Sequence, residues 1–153
     1  MLIQMTLNGR KIAAEVAADK PLLEFLREQG CTSVKRGCET SNCGLCTVLM
    51  DDKPVLSCTM LAARASGHRI VTMEGCQEEA AAFGAYLAAQ GAEQCGYCSP
   101  GFIMNVLAME KELTDPTEEE IREYLAGNLC RCSGYVGQLR AVKNYLASKK
   151  EGN

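Results

Sequence analysis

Of the groups in this chain that could do chemistry, the cysteines stand out: ten in 153 residues, eight of them in two sets. The first set is Cys38, Cys43 and Cys46, in C-x4-C-x2-C spacing, with Cys58 following in the next segment. This is the plant-type spacing for a [2Fe–2S] cluster. A short loop wraps one side of the cluster, sets three sulfurs around it and turns backbone N–H groups towards the bridging sulfides. The fourth thiol arrives from a separate segment. Gly37 and Gly44 stand where such a loop needs close backbone approach or positive φ, and Asn42 also tolerates the left-handed region. The second set is the pair Cys95/Cys98 and the pair Cys130/Cys132, and it is read as the ligand set of a second cluster.

Other uses of cysteine are open to test. Structural zinc usually sits between two C-x2-4-C knuckles, which the first set is not, although the second set taken alone would suit zinc too. A Rieske-type centre needs two histidine ligands, and the chain has only His68. A disulfide framework belongs to secreted chains. The opening Met1-Leu2-Ile3-Gln4-Met5-Thr6 does not read as a secretory leader, so a cytoplasmic location is expected. Cys31 and Cys76 match neither set and read as small buried hydrophobes.

Charge and composition narrow the partners. A formal net charge of −3, no basic block and no Trp leave no surface for nucleic acid. The apolar stretch around Ala80–Ala92 is broken by Gly84 and Gln90 and is too short to span a bilayer. His68 reads as a solvated turn residue. A cluster held by four thiolates is anionic, so a nearby cation favours its reduced form. Arg131, between two ligands, is a better candidate for this than Lys35 or Arg36 beside the first loop. No dinucleotide or phosphate-loop fingerprint and no nucleophile–base pair is present, so no catalytic residue is expected.

The elements that must position these thiols differ between the two halves. Leu2–Leu7 alternates as a strand, Asn8-Gly9 is a hairpin signal, and Lys11–Val16 returns. A short helix opens at Pro21 and stops at Gly30. Strands are expected at Thr47–Met50, in the approach to Cys58, and at Arg69–Met73. After Gly75 helical spacing takes over: Phe83, Tyr86, Leu87 and Gln90; Ile103, Val106, Leu107 and Glu110; Ile121, Tyr124 and Leu125 behind a Thr117/Glu120 capping box; then Val136, Leu139, Val142 and Leu146. The tail from Lys149 to Asn153 is expected to fray. The pattern is α+β, with a sheet domain over residues 1–75 and a small helical bundle over 76–153. Both downstream cysteine pairs fall at helix ends, so two loops can close on one centre.

With "GCETSNCGLCTV", "QCGYCSPGFIM" and "AGNLCRCSGY" in this order, the sequence resembles the small iron–sulfur subunits of the molybdenum hydroxylases, over almost its whole length. Xanthine dehydrogenases and aerobic-type carbon monoxide dehydrogenases belong to this group. The resemblance implies an N-terminal β-grasp ferredoxin-like domain and a C-terminal four-helix bundle, each with one [2Fe–2S] cluster. It implies a hetero-oligomer in which the helical-domain cluster adjoins molybdopterin on a large subunit and the other cluster faces FAD on a medium subunit. Cys132 would touch the pterin, with Gln94 at the same cofactor edge. The loop departs from the glycine-rich family form, with Glu39-Thr40-Ser41-Asn42 in place of glycines and Leu45 in place of a small residue. The expected role is electron transfer in hydroxylation of a purine or other N-heterocycle. Rival readings are a free two-cluster shuttle, a small subunit of a carbon monoxide or aromatic/aldehyde hydroxylase, and a zinc-stapled interaction module.

Overall fold

The computed structural model describes residues 1–152; Asn153 lies outside them. Strands β1 (Leu2–Leu7) and β2 (Arg10–Glu15) form a hairpin whose turn residues Asn8 and Gly9 have φ of 48° and 80°. Two left-handed residues give the turn whose twist matches paired strands, which is why Asn-Gly serves here. A second hairpin joins β3 (Thr47–Met50) to β4 (Lys53–Leu56) through Asp51 and Asp52, again both at positive φ. Strand β5 (Arg69–Val71) lies between them, parallel to β1 and antiparallel to β3, in the order β2-β1-β5-β3-β4.

Helix α1 (Leu22–Glu28) buries Leu22, Leu23, Phe25 and Leu26 in one core with Ile3, Met5, Val48 and Ile70 of the sheet. Each such side chain contributes about 1.5–3 kcal/mol by leaving water. The helix ends in a Schellman motif: Gly30, at φ 89°, donates its N–H to Arg27 O and Cys31 donates to Leu26 O, both at 3.0 Å. That stop releases the chain into the first cysteine loop.

Four further helices, α2 (Gln77–Ala89), α3 (Ser99–Glu112), α4 (Glu118–Leu125) and α5 (Val136–Glu151), share a second core. At its centre the Tyr145 ring meets Phe83 edge-on, centroids 5.2 Å apart. The halves are joined where Leu49 of β3 packs against Met104 and Ala108 of α3. Among the described residues the architecture is thus α+β, a mixed five-stranded sheet and five α-helices. Among the described residues no helix is long and apolar enough to cross a membrane.

The expected capping box is present: Thr117 accepts from the Glu120 N–H, and the Glu120 carboxylate accepts from the Thr117 N–H at 2.7 Å. Thr117→Ala is expected to cost about 1 kcal/mol, read as a lower denaturation midpoint with an unchanged spectrum.

Three local expectations need correction. Strand β5 stops at Val71, short of Met73, because the Thr72 N–H leaves the ladder for Asn8 Oδ1 at 2.9 Å, and Met73–Gly75 turns as a 3-10 helix. Of the residues expected inward on α5, Val142 is buried and Leu139 and Leu146 pack against the core, with Gln138, Ala141 and Tyr145 buried beside them, but Val136 opens the helix at its outer end and is 57% exposed. The tail does not fray at Lys149: α5 runs to Glu151, with Lys149 paired to Glu110 at 3.3 Å and Lys150 paired to Asp115.

Candidate functional site

The Schellman stop after α1 delivers Cys38, Cys43 and Cys46 on one loop, and β4 brings Cys58 alongside. The thiols approach one another in twos, Cys38 with Cys43 and Cys46 with Cys58. Backbone N–H groups of Asn42, Thr40 and Cys43 point at the Cys38 sulfur and hold its pKa down to about 6. Burial pushes Cys46 the other way, up to about 11. The left-handed residue that curls the loop is Ser41, at φ 61°, and not Asn42, whose N–H is one of those turned onto Cys38. Gly44 is the second, at φ 74°.

The second set forms at helix ends, as the sequence predicts. Cys98 is the N-cap of α3, and Cys130 and Cys132 lie in the loop between α4 and α5. Here too the thiols meet in twos, Cys98 with Cys130 and Cys95 with Cys132. Burial, then the neighbouring Cys130, drives Cys98 up to about 12. Cys130, despite its own burial, is held below the ordinary thiol range, with Ser133 N–H donating to its sulfur at 3.3 Å. Cys95 and Cys132 are the exposed members, and Gln94 beside them is exposed as well.

Pairing in twos is the donor pattern of a diiron cluster, in which four thiolates are shared between two irons. Each set thus brings together four thiols of the kind that a [2Fe–2S] cluster takes, so the residues present fit that group.

The residues outside these sets fall out differently. Cys31 is buried in the sheet core, where its sulfur also accepts from the Asn8 amide at 3.6 Å; Cys76 is half-buried, its sulfur 3.6 Å from Met104 Sδ and donating to the Thr72 carbonyl at 3.5 Å. His68 has a partner, its Nδ1 lying 2.6 Å from Asp51 Oδ2. Arg131 is exposed and makes no ion pair among the described residues.

What spacing did not reveal is how closely the two cysteine loops are joined. The Leu129 N–H donates to the Cys43 carbonyl at 2.9 Å, and Leu129 directly precedes Cys130. One hydrogen bond thus completes a path of bonds from a cysteine of the first set to one of the second. Asn128, 6% exposed, donates to the Gly44 carbonyl at 3.4 Å and accepts from the Asn105 amide at 2.6 Å. A Cβ on Gly101 would strike the Gly44 carbonyl, so α3 reaches the first loop only with glycine there. The one sequence signal was a polar Asn128 between Gly127 and Leu129 at the mouth of the second loop. Asn128→Leu removes both of these hydrogen bonds, although Asn105 keeps the Tyr124 carbonyl and the Gly44 carbonyl keeps the Thr47 N–H and hydroxyl, and is expected to cost about 1–3 kcal/mol in a denaturant titration.

Comparison with known proteins agrees with this geometry. Residues 5–77 match the family described as a 2Fe-2S iron–sulfur cluster binding domain, and residues 72–143 match a [2Fe-2S] binding domain. The nicotinate dehydrogenase small FeS subunit of Eubacterium barkeri is 42% identical over 150 residues, covering 96% of this chain and 95% of that protein. The xanthine dehydrogenase iron–sulfur-binding subunit of Escherichia coli O157:H7 is 46% identical over 145 residues, covering 87% and 86%. Quinoline 2-oxidoreductase from Pseudomonas putida 86 contains a chain that superposes with a TM-score of 0.89 at 35% identity, covering 98% of this chain and 96% of that one. By fold and site this is a protein of two [2Fe–2S] clusters. The chain belongs to the small iron–sulfur subunits of the molybdenum hydroxylases, and its role is electron transfer within an oxidoreductase.

Proposed function

We propose that this subunit relays single electrons from molybdopterin on a large subunit to FAD on a medium subunit, in a cytoplasmic enzyme that hydroxylates a purine or another N-heterocycle. Residues 1–75 form one domain, with Cys38, Cys43, Cys46 and Cys58 as ligands of its cluster. Residues 76–153 form the other, a four-helix bundle whose cluster is held by Cys95, Cys98, Cys130 and Cys132. The two separate cores support this division. When bound, each cluster supplies a carrier for one electron at a time.

The observation that carries the reading is the Leu129–Cys43 hydrogen bond, which connects the two ligand sets. Exposed Cys95 and Cys132, with Gln94 beside them, suit the end that meets the molybdopterin subunit. Exposed Leu129, Tyr135 and Val136 around them are apolar, as the core of a subunit contact requires. The substrate class rests on the names of relatives that act on N-heterocycles: nicotinate, xanthine and quinoline.

Purification from native cells tests all of this. The chain is expected to come with molybdopterin- and FAD-binding subunits and with iron for two clusters. An N-heterocycle is expected to reduce both clusters in the absence of other reductants. A colourless zinc-bearing chain, or a stable lone chain that accepts electrons from unrelated donors, would refute it.

A further inference from the structure

The two cysteine loops meet at a second place, which neither the ligand sets nor the Leu129 bridge explains. Tyr97, between Cys95 and Cys98, donates its phenol O–H to the carbonyl of Arg36 at 3.0 Å. Arg36 lies just ahead of Gly37 and Cys38. The Lys35 ammonium sits over the Tyr97 ring, 5.4 Å from its centroid, and donates to the Thr32 carbonyl at 3.2 Å. A lysine of the first loop is thus held on an aromatic ring of the second, and that ring is anchored back to the first. Ammonium over an aromatic face is an attractive arrangement. Arg36, by contrast, has its charge taken up by Glu24 and Glu39.

We propose that Tyr97 is a positioning residue that holds the Lys35 charge at the junction of the two loops, where it favours the reduced form of the clusters. This rests on the reading that the two thiol sets are cluster ligands. Reduction adds one negative charge to a centre already anionic with four thiolates, and a nearby fixed cation opposes that cost. The electron comes from the substrate as it is oxidised in the enzyme complex, and no proton need move. Lysine on a flexible stem would otherwise spend its time in water; the ring and the Thr32 carbonyl give it one place.

The test is potentiometric titration, followed by paramagnetic resonance, of the full-length chain in its complex with both clusters loaded. Lys35→Gln is expected to lower the midpoint potential of at least one cluster by about tenfold in the one-electron equilibrium, about 59 mV. Lys35→Arg should keep the wild-type potentials, since guanidinium also stacks on the ring. Tyr97→Leu should shift them in the same direction as Lys35→Gln, and Tyr97→Phe, which keeps the ring but loses its anchor, should give part of that shift. The double variant Lys35→Gln/Tyr97→Leu should shift no further than Lys35→Gln alone, because both act through one charge. Full iron content with unmoved potentials in Lys35→Gln, or additive shifts in the double variant, would overturn the inference alone. A wild-type chain without iron for two clusters would overturn the functional reading and this inference with it.

Discussion

Replacing Gly44 by alanine is expected to cost about 2–5 kcal/mol and to part the two cysteine loops. Two independent penalties meet at this position. Gly44 has a φ of 74°, where a Cβ costs about 1–2 kcal/mol. The added methyl would also run into the Gly127 carbonyl and lie 2.7 Å from Asn128 Nδ2, in a place with no slack on either side. Crowding of this kind costs about 1–3 kcal/mol. Backbone, not a flexible side chain, stands in the way, so relief must come from moving one loop. The loop that moves carries either Cys43 or Cys130, and the Leu129–Cys43 hydrogen bond goes with it. Gly30→Ala is the control. It shares the positive φ, at 89°, but its Cβ would meet nothing within 4 Å, so only the conformational penalty remains. Denaturant titration of the two variants separates the effects, and equal losses would refute the close approach. In the loaded complex Gly44→Ala is also expected to weaken the magnetic interaction between reduced clusters, which Gly30→Ala leaves alone.

Cys43→Ser is expected to remove half of the iron and one of the two paramagnetic signals, and to lower turnover of the complex by more than about 100-fold. Serine offers a hard, weakly acidic hydroxyl where a soft thiolate is needed. The second cluster should survive for a structural reason. What Cys43 gives to the other loop is its backbone carbonyl, bonded to the Leu129 N–H, and serine keeps that carbonyl. The helical core around Phe83, Ile103, Val142 and Tyr145 contains no residue of the first loop. Quantification of iron and resonance spectra of the reduced variant check both parts. Loss of both signals together would show that the two ligand sets do not assemble independently.

Gly44→Ala and Cys43→Ser thus strike neighbouring residues with different reach. The thiol acts within its own loop, whereas the glycine acts on the gap between loops. A survey of ligands alone would rank the cysteine first and pass over the glycine.

Much of this was readable from local pattern. Cys38, Cys43 and Cys46 lie close together on one short loop, so their spacing alone makes them candidate ligands of one cluster. Asn8-Gly9, Gly30 and the Thr117/Glu120 box are read as easily, since each sets a turn or helix end through its own backbone or an immediate neighbour. The helical faces were less secure. Periodicity marked Val136 as inward on α5 with Leu139, Val142 and Leu146; the last three do meet the core, but Val136 is exposed, and Gln138 and Tyr145 are buried instead. Arg131 looked the better placed cation because it lies between two cysteines in sequence, yet its side chain is exposed, while Lys35 finds an aromatic ring on the other loop.

Residue type and spacing, then, determined which thiols are the candidate ligands, that there are two such sets, and that a sheet half precedes a helical half. Only the tertiary structure decided which thiols stand together, Cys95 with Cys132 and Cys98 with Cys130, and that Leu129, Asn128, Gly101 and Tyr97 lock one loop to the other. Chelate spacing and turn chemistry are written into a few adjacent residues. The distance between two centres is not, because it depends on how two separately packed cores come to rest against each other, through contacts between residues far apart in the chain.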